Sequence, residues 1–215
     1  MKTAIIGATG FVGSSLVKEF ANRKHDVTAI SRNPAKESTA GVQYNKANVY
    51  NVDELAEAIK GHDIVISAFN PGWTNPDIYD DFLKGAKSIQ EAVKKSGVKR
   101  YIIIGGAGSL FIAPGVQVVD TPEFPQEIKA GATAARDYLD ILRKETELDW
   151  IFFSPAIEMH PGITTGRTGN YRLGLESPVF DDNGQSILSV EDLAIVIADE
   201  AENPKHNQQR FTAAY

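Results

Sequence analysis

Residues 3–13, Thr3-Ala4-Ile5-Ile6-Gly7-Ala8-Thr9-Gly10-Phe11-Val12-Gly13, constrain this chain more than any other stretch. A short apolar run meets three glycines spaced Gly-x-x-Gly-x-x-Gly, and a helical pattern follows over Phe11–Asn22. Each glycine has its own mechanical duty. Gly7 allows a tight turn out of the strand, Gly10 lets backbone approach a pyrophosphate, and Gly13 lets the helix pack closely on the sheet. The free N–H groups of the first helical turn, together with the helix dipole, attract phosphates. The stretch is therefore read as a phosphate-binding turn. Its spacing differs from the commoner Gly-x-Gly-x-x-Gly. The alternative is a glycine-rich strand-to-helix turn with no ligand.

The rest of the chain repeats the rhythm of short apolar runs and longer amphipathic ones. Strands are expected at Thr3–Ile6, Val27–Ser31, Val42–Lys46, Ile64–Ala68, Tyr101–Ile104 and Trp150–Ser154, with Arg210–Ala214 as a closing strand. Helices are expected at Phe11–Asn22, Val52–Lys60 with Asn51 as N-cap, Asp77–Ser96 stopped by Gly97, Gln126–Glu145 and Val190–Glu202. Alternation of this kind implies right-handed crossovers and a parallel sheet. The strands are near-continuous Ile/Val/Phe runs, so both sheet faces are buried under helices. The expected fold is α/β, a Rossmann-like doubly wound parallel sheet of order 3-2-1-4-5-6 with the closing strand as a seventh. With 215 residues, 42% of them hydrophobic, one domain is expected.

Two segments break the rhythm. Gly105–Pro125 lacks a clear period, and Pro155–Leu188 is irregular and glycine-rich, an expected small C-terminal lobe on the substrate side. Both leave the carboxyl ends of strands, where open α/β sheets hold their ligands, and both are longer than a connection requires. They are expected to form one wall of a cleft opposite the cofactor.

The second strand ends at Ile30-Ser31-Arg32, with Lys36 beyond. An acid at that position would bond the ribose 2′-OH of NAD; a guanidinium suits the 2′-phosphate of NADP. NADP is the expected cofactor, with NAD as the alternative and a solvated surface arginine as the plainest reading of Arg32.

The chain resembles the atypical short-chain dehydrogenase/reductase superfamily. More narrowly it is similar to the NADH-flavin reductases, near the NmrA-like proteins and biliverdin reductase B, a flavin reductase. The matching stretches are 4–13, Gly61-His62-Asp63-Ile64-Val65-Ile66-Ser67-Ala68, Gly97-Val98-Lys99-Arg100, Gly105-Gly106-Ala107-Gly108-Ser109, Asp120-Thr121-Pro122-Glu123-Phe124-Pro125 and Phe211-Thr212. The resemblance implies that Thr9, Phe11 and Val12 surround the pyrophosphate, and that Arg32 meets the 2′-phosphate. Asn48 occupies the place where an Asp commonly meets adenine. Ala68 and Phe69 would lie along the cofactor, Gly105, Gly106 and Ser109 near the nicotinamide, and Pro155 near its carboxamide.

One piece of the superfamily's chemistry is absent. None of the seven tyrosines has a lysine four residues on, so no Tyr-x-x-x-Lys pair exists to shuttle a proton to a substrate oxygen. A flavin accepts hydride at a ring nitrogen and can draw its proton from water, so its reduction asks mainly for proximity and orientation. The leading expectation is an NAD(P)H-dependent reductase of flavin or a similar planar acceptor, the flavin being substrate rather than tightly bound. The alternatives are a non-catalytic NADP(H)-binding redox sensor and an enzyme like the nucleotide-sugar epimerases and dehydratases.

Two residues are candidates for chemistry. Ser109 would hydrogen-bond the acceptor or the nicotinamide, or else serve its own turn. His160, in Met159-His160-Pro161-Gly162, would donate a proton from the cleft rim, or else be a surface loop residue. Trp73, Phe111 and Phe124 would stack on a planar ligand or plug the loops. No histidine pair has ligand spacing, so no metal is expected. The chain has no cysteine, which removes disulfides and thiolate chemistry. The net charge of −6 opposes a nucleic-acid partner. The apolar run before Gly7 is too short for a signal peptide, and no run of about 18 apolar residues exists for a membrane span. A cytoplasmic monomer or homodimer acting on a small-molecule acceptor is expected.

Overall fold

The computed structural model describes residues 1–34 and 39–215. Lys36 lies outside the described residues. In chain order the elements are β1 (Lys2–Ile6), α1 (Phe11–Asn22), β2 (Asp26–Ser31), β3 (Val42–Lys46), α2 (Val52–Ile59) and β4 (Ile64–Ser67). Then follow α3 (Ile78–Ser96), β5 (Arg100–Ile104), a hairpin of β6 (Phe111–Ala113) and β7 (Val116–Gln117), and α4 (Gln126–Leu142). Last come β8 (Asp149–Ser154), β9 (Arg172–Gly174), α5 (Val190–Glu202) and β10 (Gln209–Ala214).

Local chemistry sets several of these bounds. Asn51 caps α2, its side chain accepting from the Glu54 N–H, and Gly97 ends α3 in the left-handed region at φ 83°. α4 stops at Leu142, three residues earlier than the pattern suggested, because the chain turns there to bury Leu148 and Trp150.

The main sheet has the order β3-β2-β1-β4-β5-β8-β10-β9. All its pairings are parallel except β9 against β10. The order expected for the first six strands is present. The seventh, β10, does not close the sheet: it is internal, and β9, from the irregular segment, takes the edge beside it. Side chains alternate between two cores. Ala4 and Ile6 pack toward α2, α3 and α4, whereas Ile5 packs toward α1 and α5. The chain proceeds from β1 outward to β3, then returns to place β4 on the other side of β1. That reversal opens a crevice at the carboxyl ends of β1 and β4, the usual ligand position in doubly wound sheets.

Candidate active site: a dinucleotide cradle

The cradle is pinned mostly by main chain. The N–H groups of Gly7 and Ala8 both donate to the Ile30 carbonyl, at 3.0 and 3.2 Å, which ties the turn to the end of β2. Gly7 has φ 78°, and a Cβ there would lie 2.5 Å from the Ala68 carbonyl oxygen, so the turn and the loop after β4 exclude any other residue. A Cβ on Gly13 would lie 2.1 Å from the Gly7 carbonyl oxygen, which explains the helix's close approach. Gly10 is different. It is exposed, it begins α1 with no side-chain cap, and no acidic residue stands in the first turn. Among the described residues no acceptor meets the N–H groups of Phe11, Val12 and Gly13. Unmet donors at a helix start without a competing carboxylate suit a phosphate.

The other expected cofactor residues line up along the same sheet edge. Ser31 ends β2, nearly buried, and Arg32 beyond it is exposed. Asn48 is exposed, but its side-chain oxygen accepts from the Tyr50 N–H at 3.1 Å, so it is partly committed to its own turn. Burial, then the Asp81 carboxylate, push the Tyr50 phenol above its ordinary pKa, while the Arg32 charge opposes them. Ala68 donates its N–H to the Ile6 carbonyl at 2.9 Å. The Phe69 ring packs onto Gly85 of α3, between Tyr50 and Phe82. Gly105 donates to the Phe153 carbonyl at 2.8 Å and lies against the Phe152 ring. Gly106 follows on α4, and the buried Pro155 leaves β8.

The two candidates for chemistry are not brought together. Ser109 has no exposed surface. Its hydroxyl lies 3.0 Å from the Gly106 carbonyl and 3.0 Å from the Ser154 hydroxyl. It sits beneath the expected cleft floor rather than on it, and holds the glycine loop in place. His160 is exposed, with Nδ1 accepting from the Gly162 N–H at 3.1 Å, a local turn bond.

The structure also shows two residues that pattern reading passed over. Arg210 of β10 is fully buried. Its guanidinium donates to the Ser109 carbonyl and to the carbonyl and carboxylate of Glu176, and it lies 5.4 Å from the Phe111 ring centroid. It thereby joins Gly105–Pro125 to Pro155–Leu188, as does the Phe111 N–H to the Glu176 carbonyl at 2.8 Å. Asp192, buried in the first turn of α5, accepts from the N–H groups of Thr168 and Gly169, from the Thr168 hydroxyl and from the Tyr215 phenol. Burial pushes the Asp192 carboxyl up, but these donors outweigh it and hold the pKa below the ordinary value. A charged residue inside a predicted strand was the one available signal for Arg210; nothing marked Asp192 apart from other first-turn acids.

The tyrosines are committed elsewhere. Tyr138 of α4 is buried, its phenol donating to Gln90, and Tyr79 donates to Asp137 at 2.7 Å. Tyr50 donates to the Asp81 carbonyl, Tyr171 to Asp199 and Tyr44 to Thr39. Tyr101 is fully buried in the sheet. No tyrosine hydroxyl contacts a lysine among the described residues.

The NAD(P)H-binding family matches residues 7–204. The chain belongs to the NAD(P)H-binding family. It is thus a Rossmann-type member of the NAD(P)-binding oxidoreductases, within the atypical short-chain dehydrogenase/reductase superfamily. Three solved structures are similar over the whole of this chain and at least 96% of their own. A provisionally named epimerase from Bacteroides thetaiotaomicron is 48% identical, with TM-score 0.91, covering 100% of this chain and 96% of its own. A provisionally named exported protein from Burkholderia pseudomallei is 41% identical, with TM-score 0.87 and 100% of both chains covered. A provisionally named NADH-flavin reductase from Streptococcus pneumoniae is 34% identical, with TM-score 0.87, covering 100% of this chain and 99% of its own. Among the described residues of this NAD(P)H-binding protein, no helix is long and apolar enough to cross a membrane.

Proposed function

We propose that this protein is an NADPH-dependent reductase of flavin or a similar planar acceptor. The observation that carries the reading is a dinucleotide cradle in a chain without a Tyr-x-x-x-Lys pair; Lys84 lies over the Tyr50 ring, 5.5 Å from its centroid, while that phenol donates to the Asp81 carbonyl. When bound, the nicotinamide supplies a hydride, and the acceptor ring takes it together with a proton from water. The chain's own work is then placement. The first-turn N–H groups of α1 hold the pyrophosphate, and Gly7 and Gly13 keep that turn close to the sheet. Ser109, locked between Gly106 and Ser154, fixes the loop on which the nicotinamide end would rest. Proximity of this kind can supply much of a hydride-transfer barrier without acid–base help. Arg32, and the lack of an acid at the end of β2, support NADP over NAD. Likeness to the Streptococcus pneumoniae protein points the same way. The committed tyrosines weigh against the alcohol–ketone chemistry on which an epimerase depends, despite the name of the Bacteroides protein. A small-molecule acceptor is the only partner this reading needs.

The deciding experiment is a steady-state assay of NADPH oxidation with FMN or FAD as acceptor. Turnover above the uncatalysed rate is expected. Correctly folded protein that gives none is not a flavin reductase.

A further inference from the structure

We propose that Trp73 is the stacking platform for the acceptor ring, which would be held between the indole and the loop at Gly105–Gly106. This rests on the reductase reading and adds to it the residue that selects a planar acceptor.

Trp73 is 56% exposed, yet it is not loose. A Cβ on Gly131 of α4 would lie 2.8 Å from its ring carbon Cζ3, and equally close to Ile78 Cδ1. The indole is therefore seated directly on helix backbone, with most of its surface left open. The loop that carries it is stitched at every step. The Gly72 N–H donates to the Asn70 side chain at 2.7 Å, and the Asn75 N–H to the Gly72 carbonyl at 3.1 Å. The Asn75 side chain accepts from the Asp77 N–H at 3.0 Å and donates to Asp81 at 2.8 Å. A large aromatic surface on a prefixed loop binds a flat ligand with little ordering cost.

Its position is set by α4. Gly131, beneath Trp73, and Ala135 are four residues apart, so they share one face about 6 Å apart. Gly106, expected at the nicotinamide, approaches Ala135: a Cβ on Gly106 would be 3.8 Å from that of Ala135. Gly108 of the same loop abuts Ala132. Trp73 and the nicotinamide-side loop thus stand one helical turn apart on one face of α4. They leave the carboxyl ends of the adjacent strands β4 and β5. Small residues at 131, 132 and 135 let both loops come down onto the helix. An open indole at that distance offers a π face to a ring, and stacking of this kind is tolerant of ring substituents.

The test is titration of the NADP⁺-saturated protein with FMN, read on the flavin's own emission, which contact with an indole quenches. Trp150, the other of the two tryptophans, is buried and donates to the Glu145 carbonyl, so contact quenching is assigned to Trp73. Wild type should quench. Trp73→Phe should bind FMN within a few-fold, with much less quenching. Trp73→Ala should bind FMN about tenfold or more weakly, with NADP⁺ affinity unchanged. Equal affinity and quenching in wild type and Trp73→Ala overturn the platform; if wild type still oxidises NADPH with FMN, the reductase reading stands without it. Trp73-dependent quenching without turnover supports the platform and removes the reductase reading. Neither binding nor turnover in wild type removes both.

Discussion

Around the first turn of α1 the chain is held mostly by its own main chain: Gly7, Ala8 and Gly10 bond to carbonyls of the turn and of β2, and no side chain caps the helix start. Around residues 155–188 the reverse is true. There the main chain has little regular structure, and buried charged side chains from distant elements, Arg210 and Asp192, fasten it. The first arrangement leaves unmet donors that suit an anion. The second leaves the segment's shape to buried side chains, one of them from the sheet itself.

The largest expected effects test the cradle. Gly13→Ala should cost about 3 kcal/mol or more of stability, because the added methyl meets backbone that cannot retreat; urea unfolding measures it. Gly10→Val should abolish NADPH binding in calorimetry and cost less stability than Gly13→Ala, because a Cβ there stands a tight 3.3 Å from the Gly7 carbonyl oxygen, against 2.1 Å for one on Gly13. Normal NADPH binding by that variant would mean the phosphates lie elsewhere.

Next is the wall. Arg210→Ala should destabilise by about 3 kcal/mol, since it opens a cavity and strips a donor from the Ser109 carbonyl. Its urea midpoint should fall, and hydrogen exchange should quicken at both 105–125 and 155–188. Exchange confined to one segment would show that Arg210 does not couple them.

Smaller still is the effect of Arg32→Ala. It should weaken NADPH binding by roughly 1.5–3 kcal/mol and leave NADH little changed. Equal losses for both cofactors would show that Arg32 does not read the 2′-phosphate.

The smallest effect is set by pH. The Asp192 pKa is lowered in the folded protein from the ordinary 3.8. The stability it contributes is therefore fully present above that value and lost as pH falls through the lower folded value. The gap in melting temperature between wild type and Asp192→Asn should be constant from pH 7 to about 5 and narrow below 3.8. A gap that widens on acidification would reverse the sign of the argument.

The two regions differ also in what the sequence reveals. The bounds of α1 and α5, the cap at Asn51 and the stop at Gly97 are legible because they depend on periodicity and on neighbours a few residues away. The glycine turn is legible for the same reason. Arg210 and Ser109 are 101 residues apart, and no local pattern announces their bond. The burial of Ser109 was invisible too: its polar side chain in a glycine loop looks the same whether it faces a ligand or Ser154. His160 likewise offered an imidazole on a candidate loop, and only coordinates show it turned to Gly162. β9 escaped notice because three residues paired across a sheet edge carry no period of their own.

The strand order has a consequence for synthesis. β10 is translated after β8 and β9, yet it stands between them and brings with it the guanidinium that secures Ser109. While a nascent chain ends before residue 209, β9 has no neighbour to pair with, and the loop at 105–125 lacks one of its anchors. β1 to β5 and β8 can already associate in sequence, as chains assemble from the N-terminus during translation. The glycine turn is then formed early and the 155–188 segment last. A released fragment ending near residue 205 should resist protease through β1–β5 while remaining open to cleavage across 155–188. Protection of both segments in that chain would mean the wall assembles without its central strand.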